Sequence, residues 1–241
     1  MTITAPAPAA TDADLRERHD LARRAGKELE HASAQEIIAW AADTFGERFC
    51  LTSSMQDAVL SHLASEVVPG VNVVFLDTGY HFPETIGTAD AVSVTLPINL
   101  VTVRPRQTVA EQNATLGQDL YKRNPELCCQ LRKVAPLERA LTGYDAWATG
   151  IRREESAARA STPVVGWDHR RKMVKVAPLA RWTQDEVEQY IQANGILTNP
   201  LLFDGYPSIG CEPCTHRVED GEDARSGRWS GFAKIECGIH T

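Results

Sequence analysis

The chain has 241 residues, of which 43% are hydrophobic and 24% charged, a balance typical of a globular protein rather than a disordered or fibrous one. Its 25 lysines and arginines against 32 aspartates and glutamates give a net charge of −7, which disfavours broad nucleic-acid binding because phosphate neutralisation needs a basic face. No apolar run approaches the roughly 18 residues of a membrane helix, and the N-terminus lacks the basic and apolar regions of a secretory signal. We therefore expect a cytoplasmic protein that neither spans a membrane nor binds nucleic acid.

The first part of the chain is predicted to be helical. Residues 1–11 have the composition of a disordered tail, and the apolar spacing over 12–31 predicts an amphipathic helix. A second helix is predicted to begin at Ser33, whose spacing to Glu36 forms a capping box, and to end at Gly46. We therefore predict a tail over 1–11 and N-terminal helices over 12–46.

Alternating strand and helix patterns follow and predict a nucleotide-binding α/β domain over 47–198. Strands are predicted over 48–51, 71–76, 98–103 and 145–149, helices over 56–67, from about 107 and over 125–141, and a β-hairpin over 164–176. A last helix begins at a capping box of Thr183 and Glu186 and ends at Gly195. The alternation predicts a doubly wound, mainly parallel sheet, and the Gly, Pro, Arg and Cys content from 199 to 241 predicts a cluster loop and a mobile C-terminal tail.

Residues 52–57 (TSSMQD) lie directly after the first predicted strand and lead into a helix. Free backbone N–H groups and hydroxyls at such a position form an anion site suited to phosphate. The segment lacks the glycines and lysine of a Walker A loop, so a plain serine N-cap is the alternative. Its place at the carboxyl end of a strand favours a ligand site.

Four cysteines form two pairs, Cys128-Cys129 in a predicted helix and Cys211 with Cys214 in a C-x-x-C motif. Four thiolates can hold an iron–sulfur cluster or a tetrahedral zinc ion. Adjacent thiols on a helix point about 100° apart, which suits two irons of a cubane better than one small ion. The C-x-x-C lies in a Gly/Pro loop rather than at the helix start typical of a redox dithiol. We favour a cluster, with zinc and redox or structural thiols as the alternatives.

The other two cysteines have different settings. Cys50 lies in an apolar strand pattern and is predicted to be a buried core residue. Cys237 lies near the end of the chain, after Arg225, Arg228 and Lys234. A thiol on a mobile tail close to basic groups is typical of a nucleophile with a lowered pKa, and an incidental tail thiol is the alternative.

Basic clusters near predicted strand ends in an acidic chain suggest recognition of phosphate or sulfate. The clusters that we interpret in this way are Arg132-Lys133, Arg152-Arg153, Arg159, Arg225 and Arg228. We interpret Arg23-Arg24 and Arg170-Arg171 as solvated surface charges.

Together these segments resemble the assimilatory adenylyl-sulfate reductases of the adenylyl/phosphoadenylyl-sulfate reductase family, from about residue 48 to the C-terminus. The resemblance rests on residues 77–79 (DTG), 82–85 (FPET), 128–134 (CCQLRKV), 150–153 (GIRR), 211–214 (CEPC) and 236–240 (ECGIH). It implies an adenine nucleotide alpha hydrolase-like sheet, related to the pyrophosphatase-loop enzymes.

The resemblance also implies a reaction, in which adenosine 5′-phosphosulfate is reduced to sulfite and AMP in assimilatory sulfate reduction and cysteine biosynthesis. Cys237 would attack the sulfur, expel AMP and become S-sulfonated, and thioredoxin would then release sulfite. Cys128, Cys129, Cys211 and Cys214 match the ligands of a [4Fe–4S] cluster, a set that accompanies the substrate without a 3′-phosphate. The matching substrate positions are Ser53, Ser54, Gln56 and Asp57 at the phosphate loop, Leu76 and Gly150 near adenine, and Lys133, Arg159, Arg225, Arg228 and His240 at the phosphosulfate.

Two other functions compete with this interpretation. An ATP-dependent adenylating enzyme, such as a cluster-bearing tRNA thiolase, would need a Gly-rich phosphate loop and a basic surface, and the sequence has neither. A redox-sensing cluster protein that binds DNA would need an Arg/Lys-rich recognition helix, which we do not find, and has no use for Cys237. The sequence does not determine the oligomeric state, and it is compatible with a homo-oligomer.

Overall fold

A six-stranded sheet lies at the centre of the computed structural model, which describes residues 11–219, 221–229, 232, 234 and 236–240. Its strands are β1 (Phe49–Ser53), β2 (Asn72–Leu76), β3 (Asn99–Val103), β4 (Ala146–Thr149), β5 (Val165–Asp168) and β6 (Met173–Val176). Their order is β3-β2-β1-β4-β6-β5, with every neighbouring pair parallel except the β5–β6 hairpin. The chain switches direction across the sheet between β1 and β4, where open α/β sheets bind ligands at their carboxyl edge. The predicted doubly wound, mainly parallel sheet is confirmed.

The helices between and beside the strands begin close to the predicted caps. At Ser33 and Thr183 the hydroxyl accepts the backbone N–H of the third helical residue, and a glutamate there accepts the N–H of the cap. Thr11 caps the first helix in the same way with Asp14, and residues 1–10 of the predicted tail lie outside the described residues. In the described ranges no helix combines the length and apolarity needed to cross a membrane. The helices are α1 (Asp12–Glu28), α2 (Ala34–Phe45), α3 (Val59–Val67), α4 (Pro83–Thr95), α5 (Val109–Leu116), α6 (Leu120–Arg123), α7 (Pro125–Cys129), α8 (Ala135–Ala140) and α9 (Gln184–Asn194).

Two helical segments differ from the prediction. Helix α3 begins at Val59 rather than at residue 56, because Met55 adopts a φ of 59° and Asp57 Oδ1 accepts the Val59 N–H at 3.0 Å. The predicted helix over 125–141 is interrupted by a π-helical turn, Gln130–Val134, between α7 and α8. Such turns are rare and concentrate at functional sites.

Residues of the strands alternate between two apolar cores, as a pleated sheet covered on both faces requires. Leu51 and Val73 face one core, which also contains residues of α2 and α3. Cys50, Val74 and Trp147 face the other, against which Ile239 of the C-terminal segment packs. Cys50 is fully buried, so its predicted core position is confirmed.

Candidate active site

The loop after β1 lies at the carboxyl edge of the sheet, where the sequence predicts a phosphate site. Ser53 Oγ accepts the Met55 N–H at 3.2 Å, and Gln56 Oε1 accepts the Ile209 N–H at 2.9 Å. Ser54 is exposed, and burial raises the pKa of Asp57. Gln56 thus ties this loop to the segment that precedes the C-x-x-C motif.

The two predicted adenine positions lie on either side of β1. Leu76 is the last residue of β2, and its carbonyl accepts a hydrogen bond from His81 Nε2 at 2.8 Å in the tautomer that donates there. Gly150 directly follows β4. Because both strands flank β1, the structure brings both positions to the same edge as the loop after β1.

The two cysteine pairs line one pocket. Cys128 and Cys129 enter it from the end of α7, and Cys211 and Cys214 enter it from a loop whose Glu212 N–H bonds to the Tyr80 carbonyl at 2.7 Å. The rest of the described lining consists of Tyr80, Tyr121, Pro125, Arg132, Lys133, Pro213 and Trp229, and it includes no carboxylate or imidazole.

Thiols without hard ligands fit either an iron–sulfur cluster or zinc. Among the residues with described placement, no three or more His, Cys, Asp or Glu are grouped so that they could hold one metal ion. A cubane does not need such convergence, since its four cysteines each bind a different iron. The four thiols are therefore the only metal-ligating side chains among the described lining residues, a donor set that either group could use.

The Cys237 thiol lies beside the Cys129 thiol, and Cys237 is only 8% exposed. The Cys129 thiol donates a hydrogen bond that lowers the pKa of Cys237, and the charges of Lys133 and Arg228 lower it further, against the effect of burial. A Cys129 bound to a cluster would have no proton to donate, so the two charges would then lower the pKa without it. A lowered pKa favours the thiolate, which is the nucleophilic form. The setting fits the predicted nucleophile, but the thiol is packed against another cysteine rather than exposed on a solitary tail.

Two of the predicted phosphosulfate cations are close to this thiol. Lys133 lies on the π-helical turn, where burial lowers its pKa but the charges of Cys211 and Cys237 outweigh burial and raise it. Arg228 is held by Ser208 Oγ and the Ile209 carbonyl, both at 3.2 Å. Its guanidinium packs so tightly on Gly210 that a Cβ there would lie 2.1 Å from Nη2.

Two further predicted cations, Arg159 and Arg225, converge on Glu236. Arg159 donates to both carboxylate oxygens, at 2.8 and 2.9 Å, and Arg225 donates to Oε1 at 3.3 Å. The same Oε1 accepts the Cys237 N–H at 2.9 Å. Burial raises the pKa of Glu236, but the hydrogen bond and charge of Arg159 and the charge of Arg225 outweigh it and lower the pKa below its ordinary value. Glu236 belongs to the 236–240 motif, but nothing in the sequence marks it as the partner of these arginines.

The last predicted substrate residue, His240, is half-buried against β4. Its ring stacks on Trp147 with centroids 6.0 Å apart and an angle of 6°, and burial lowers its pKa. Lys175 Nζ donates to the His240 carbonyl at 3.5 Å, and Arg171 Nη1 donates to the Ile239 carbonyl at 3.0 Å. Trp147 and Lys175 were not predicted to contact the C-terminal segment, because no sequence motif surrounds either residue.

The surface-charge interpretation was wrong for Arg171, whose side chain is 5% exposed. The β-hairpin turns it toward Asp168, which pairs with it at 2.8 Å, while Arg170 points outward to Glu138. Arg23 and Arg24 are exposed, as predicted.

Three arginines of the predicted basic clusters have internal partners away from the thiol. Arg153 pairs with Glu30 at 2.6 and 2.9 Å, and Arg152 donates to Gln184 at 2.6 Å. Arg132 donates to the Thr78 carbonyl and to Gln112. These contacts connect the site loops to the helices around them.

Known proteins resemble this chain both in sequence and in fold. Residues 48–217 match the family described as the phosphoadenosine phosphosulfate reductase domain. The adenosine 5′-phosphosulfate reductase of Streptomyces coelicolor is 64% identical over 91% of this chain and 93% of its own, and that of Mycolicibacterium smegmatis is 53% identical over 95% and 96%. The phosphoadenylyl-sulfate (PAPS) reductase of Candida auris, solved as a phosphate complex, superposes with a TM-score of 0.69 at 27% identity, covering 88% of this chain and 99% of that one. The FMN adenylyltransferase of Candida glabrata, at 13% identity and a TM-score of 0.53, shares the fold.

Proposed function

The chain belongs to the phosphoadenosine phosphosulfate reductase family, and from that premise we propose that it reduces adenosine 5′-phosphosulfate to sulfite and AMP through an S-sulfonate on Cys237. The substrate and the role in sulfate assimilation rest on relatives named for this activity that are up to 64% identical over nearly the whole chain. The route through Cys237 is supported above all by the position of its thiol, which is buried beside Cys129 and lies within reach of the charges of Lys133 and Arg228.

The first step is a displacement at sulfur. The Cys237 thiolate forms a bond to the sulfur of the sulfate group, the bond between that sulfur and the bridging oxygen breaks, and its electron pair leaves with AMP. Thiolate and substrate are both anions, so Lys133 and Arg228 would offset their repulsion and stabilise the leaving phosphate.

Arg159 and Arg225 would take the phosphosulfate when Glu236 releases them, because a doubly charged anion can replace a carboxylate on the same donors. Ser53, Ser54, Gln56 and Asp57 would surround the adenylate phosphate, Leu76 and Gly150 would line the adenine, and His240 would lie at the phosphosulfate. These assignments are supported by the fold, because β1, β2 and β4 are neighbouring parallel strands that end at the same edge of the sheet.

The second step needs two electrons from a dithiol, for which we propose thioredoxin. One of its thiolates attacks Cys237 Sγ and expels sulfite, and its second thiol then resolves the mixed disulfide and restores the Cys237 thiol. None of the six cysteines is in a disulfide, which fits a reducing compartment such as the cytoplasm.

Cys128, Cys129, Cys211 and Cys214 would hold a [4Fe–4S] cluster, and their four thiols in one pocket without carboxylate or imidazole support this assignment. When bound, the cluster would supply a fixed, charged group beside Cys237 and would join α7 to the C-x-x-C loop. By resemblance, this cysteine set favours the substrate with a free 3′-hydroxyl.

A trapping experiment tests the covalent intermediate. Wild-type protein incubated with adenosine 5′-phosphosulfate and no thioredoxin should gain about 80 Da, one SO₃ unit, on the C-terminal peptide. Cys237→Ser should form neither AMP nor sulfite, since no adjacent base makes a serine hydroxyl comparably nucleophilic. Sulfite release by the serine variant at the wild-type rate, or an adduct on Cys211 or Cys214, would contradict the proposal.

A further inference from the structure

The end of the described chain docks on the face of the sheet that carries Cys50, Val74 and Trp147. Trp147 of β4 is fully buried there, with His240 stacked on its indole. The Arg171 guanidinium and the Lys175 ammonium also lie over this ring, 5.5 and 5.3 Å from its centroid. Ile239 packs into the same apolar cluster. The indole of Trp147 thus contacts one ring of the C-terminal segment and two cations that bind this segment.

The two cations bind the backbone of this segment. Arg171 donates to the Ile239 carbonyl at 3.0 Å, and Lys175 donates to the His240 carbonyl at 3.5 Å. Carbonyl groups carry no sequence information, so these bonds fix the course of the chain rather than recognise a side chain. Hydrogen bonds from a charged donor are stronger than neutral ones.

Arg171 is itself held in place. Asp168 Oδ1 accepts the Arg171 backbone N–H at 3.0 Å, and Oδ2 accepts Arg171 Nη1 at 2.8 Å and Trp147 Nε1 at 3.3 Å. The carboxylate therefore orients both the guanidinium and the indole that the C-terminal segment touches. A donor held in this way loses less conformational entropy when it binds.

A turn connects this docking to the reactive thiol. The Cys237 carbonyl accepts the His240 N–H at 3.3 Å, so the four residues from Cys237 to His240 close on themselves. A displacement of Ile239 or His240 is therefore passed to Cys237.

We propose that Arg171, assisted by Lys175, is a positioning residue that fastens the C-terminal segment to the sheet and thereby holds the Cys237 thiol beside Cys129. The inference rests on the proposed function only for the role of Cys237 as nucleophile. In the described contacts, Arg171 reaches that thiol through the backbone of Ile239.

Alkylation of the intact, cluster-loaded protein tests the fastening without any substrate. At pH 9, iodoacetamide should modify Cys237 about tenfold faster in Arg171→Met than in wild type, because loss of a charged hydrogen bond exposes the thiol more often. Arg170→Met is the matched control, since Arg170 points to Glu138, and it should leave the rate unchanged. Cys50 is fully buried and should stay unmodified in every folded variant. Modification of Cys50 would therefore show that a variant has unfolded.

A kinetic measurement separates positioning from a merely structural role. Arg171→Met should form the Cys237 S-sulfonate about tenfold more slowly in a single turnover, with KM changed much less, and Arg171→Lys should recover part of the rate because an ammonium can donate to the same carbonyl. If Arg171→Met proves unstable, Lys175→Met removes the second bond and should change both rates in the same directions.

The inference would be overturned if Cys237 in Arg171→Met were alkylated and formed the S-sulfonate at wild-type rates. The same holds for Lys175→Met if that variant has to replace Arg171→Met. Two results together would separate the two proposals. If Arg171→Met speeds alkylation of Cys237 but the wild-type protein forms no S-sulfonate, the positioning role of Arg171 stands and only the proposed reaction is overturned.

Discussion

Lys133 and Arg228 reach the Cys237 thiol from parts of the chain that are far apart in sequence. Lys133 lies on the π-helical turn after α7, and Arg228 follows the C-x-x-C loop. Lys133→Ala and Arg228→Ala should each lower the turnover of adenosine 5′-phosphosulfate by about ten- to a thousandfold, or roughly 1.4–4 kcal/mol, because each removes a charge that stabilises the developing anion.

The rate of sulfite release at saturating thioredoxin measures this loss. Arg23→Ala is the control, because Arg23 is exposed on α1. Similar losses in all three variants would mean that the substitutions act on stability, and the phosphosulfate role of Lys133 and Arg228 would lose its support.

Gly210 gives a second way to move Arg228 without removing its charge. Gly210→Ala would place a Cβ 2.1 Å from the guanidinium, so the side chain has to leave Ser208 and the Ile209 carbonyl. We expect turnover to fall by about tenfold or more, as for loss of a charge-assisted contact. Gly87→Ala on α4 is the matched control, since its Cβ would meet no atom within 4 Å, and it should keep full activity. Equal activity in the two variants would show that the position of Arg228 is unimportant.

Sequence patterns could identify the residues that carry a motif but not those that depend on geometry. Cys237 stands out by its position and its basic neighbours, whereas Glu236 becomes informative only when Arg159 and Arg225 are seen to converge on it. Arg170 and Arg171 look alike in the sequence, and the hairpin decides which of them faces the sheet.

At the scale of elements, the sequence predicted the strands and caps because they depend on local patterns. Apolar runs and capping boxes are formed by neighbouring residues. Strands β1 to β4 lie within two residues of their predicted bounds, and β5 and β6 lie inside the predicted hairpin. The late start of α3 depends instead on distant contacts: Gln56 bonds to Ile209 and Asn199, which hold the preceding loop open. The π-helical turn has no periodic signal, since it adds one residue to an otherwise helical run.

The cysteine pairs lie on two separate elements, α7 and the C-x-x-C loop, so a cluster would act as a bond between them. Cys128→Ser or Cys211→Ser should deplete bound iron and sulfide and loosen the C-x-x-C loop, because ligand binding and folding are coupled. Iron and sulfide analysis of anaerobically purified protein measures the depletion.

Cys50→Ser is the control for that substitution. Cys50 is fully buried in an apolar core and does not line the pocket, and burial raises the pKa of its thiol, so it should not bind iron. Full iron content in both ligand variants, or loss of iron in Cys50→Ser, would contradict the assignment.

At the scale of the whole molecule, the sheet separates the site from contacts that serve stability. The site collects at the carboxyl edge, whereas Asp145, just before β4, lies at the amino edge. It accepts Arg18 of α1 at 2.6 Å and Arg48, just before β1, at 2.5 and 2.6 Å. This carboxylate joins the N-terminal helix to the two central strands.

The predicted division of the chain into four regions, 1–11, 12–46, 47–198 and 199–241, stays a prediction.

Asp145→Ala should therefore lower stability without changing the chemistry. It leaves two guanidinium groups without their shared partner, and because Arg18 and Arg48 are 25% and 39% exposed, solvent screens part of the loss. We expect the free energy of unfolding to fall by about 1–3 kcal/mol, with the turnover of folded protein unchanged. Asp204→Ala is the matched control, since its pair with Arg217 is 55% and 62% exposed, and it should cost less than about 1 kcal/mol. Urea unfolding with an unchanged m-value measures both differences. A loss of turnover in folded Asp145→Ala would show instead that the amino edge is coupled to the site across the sheet.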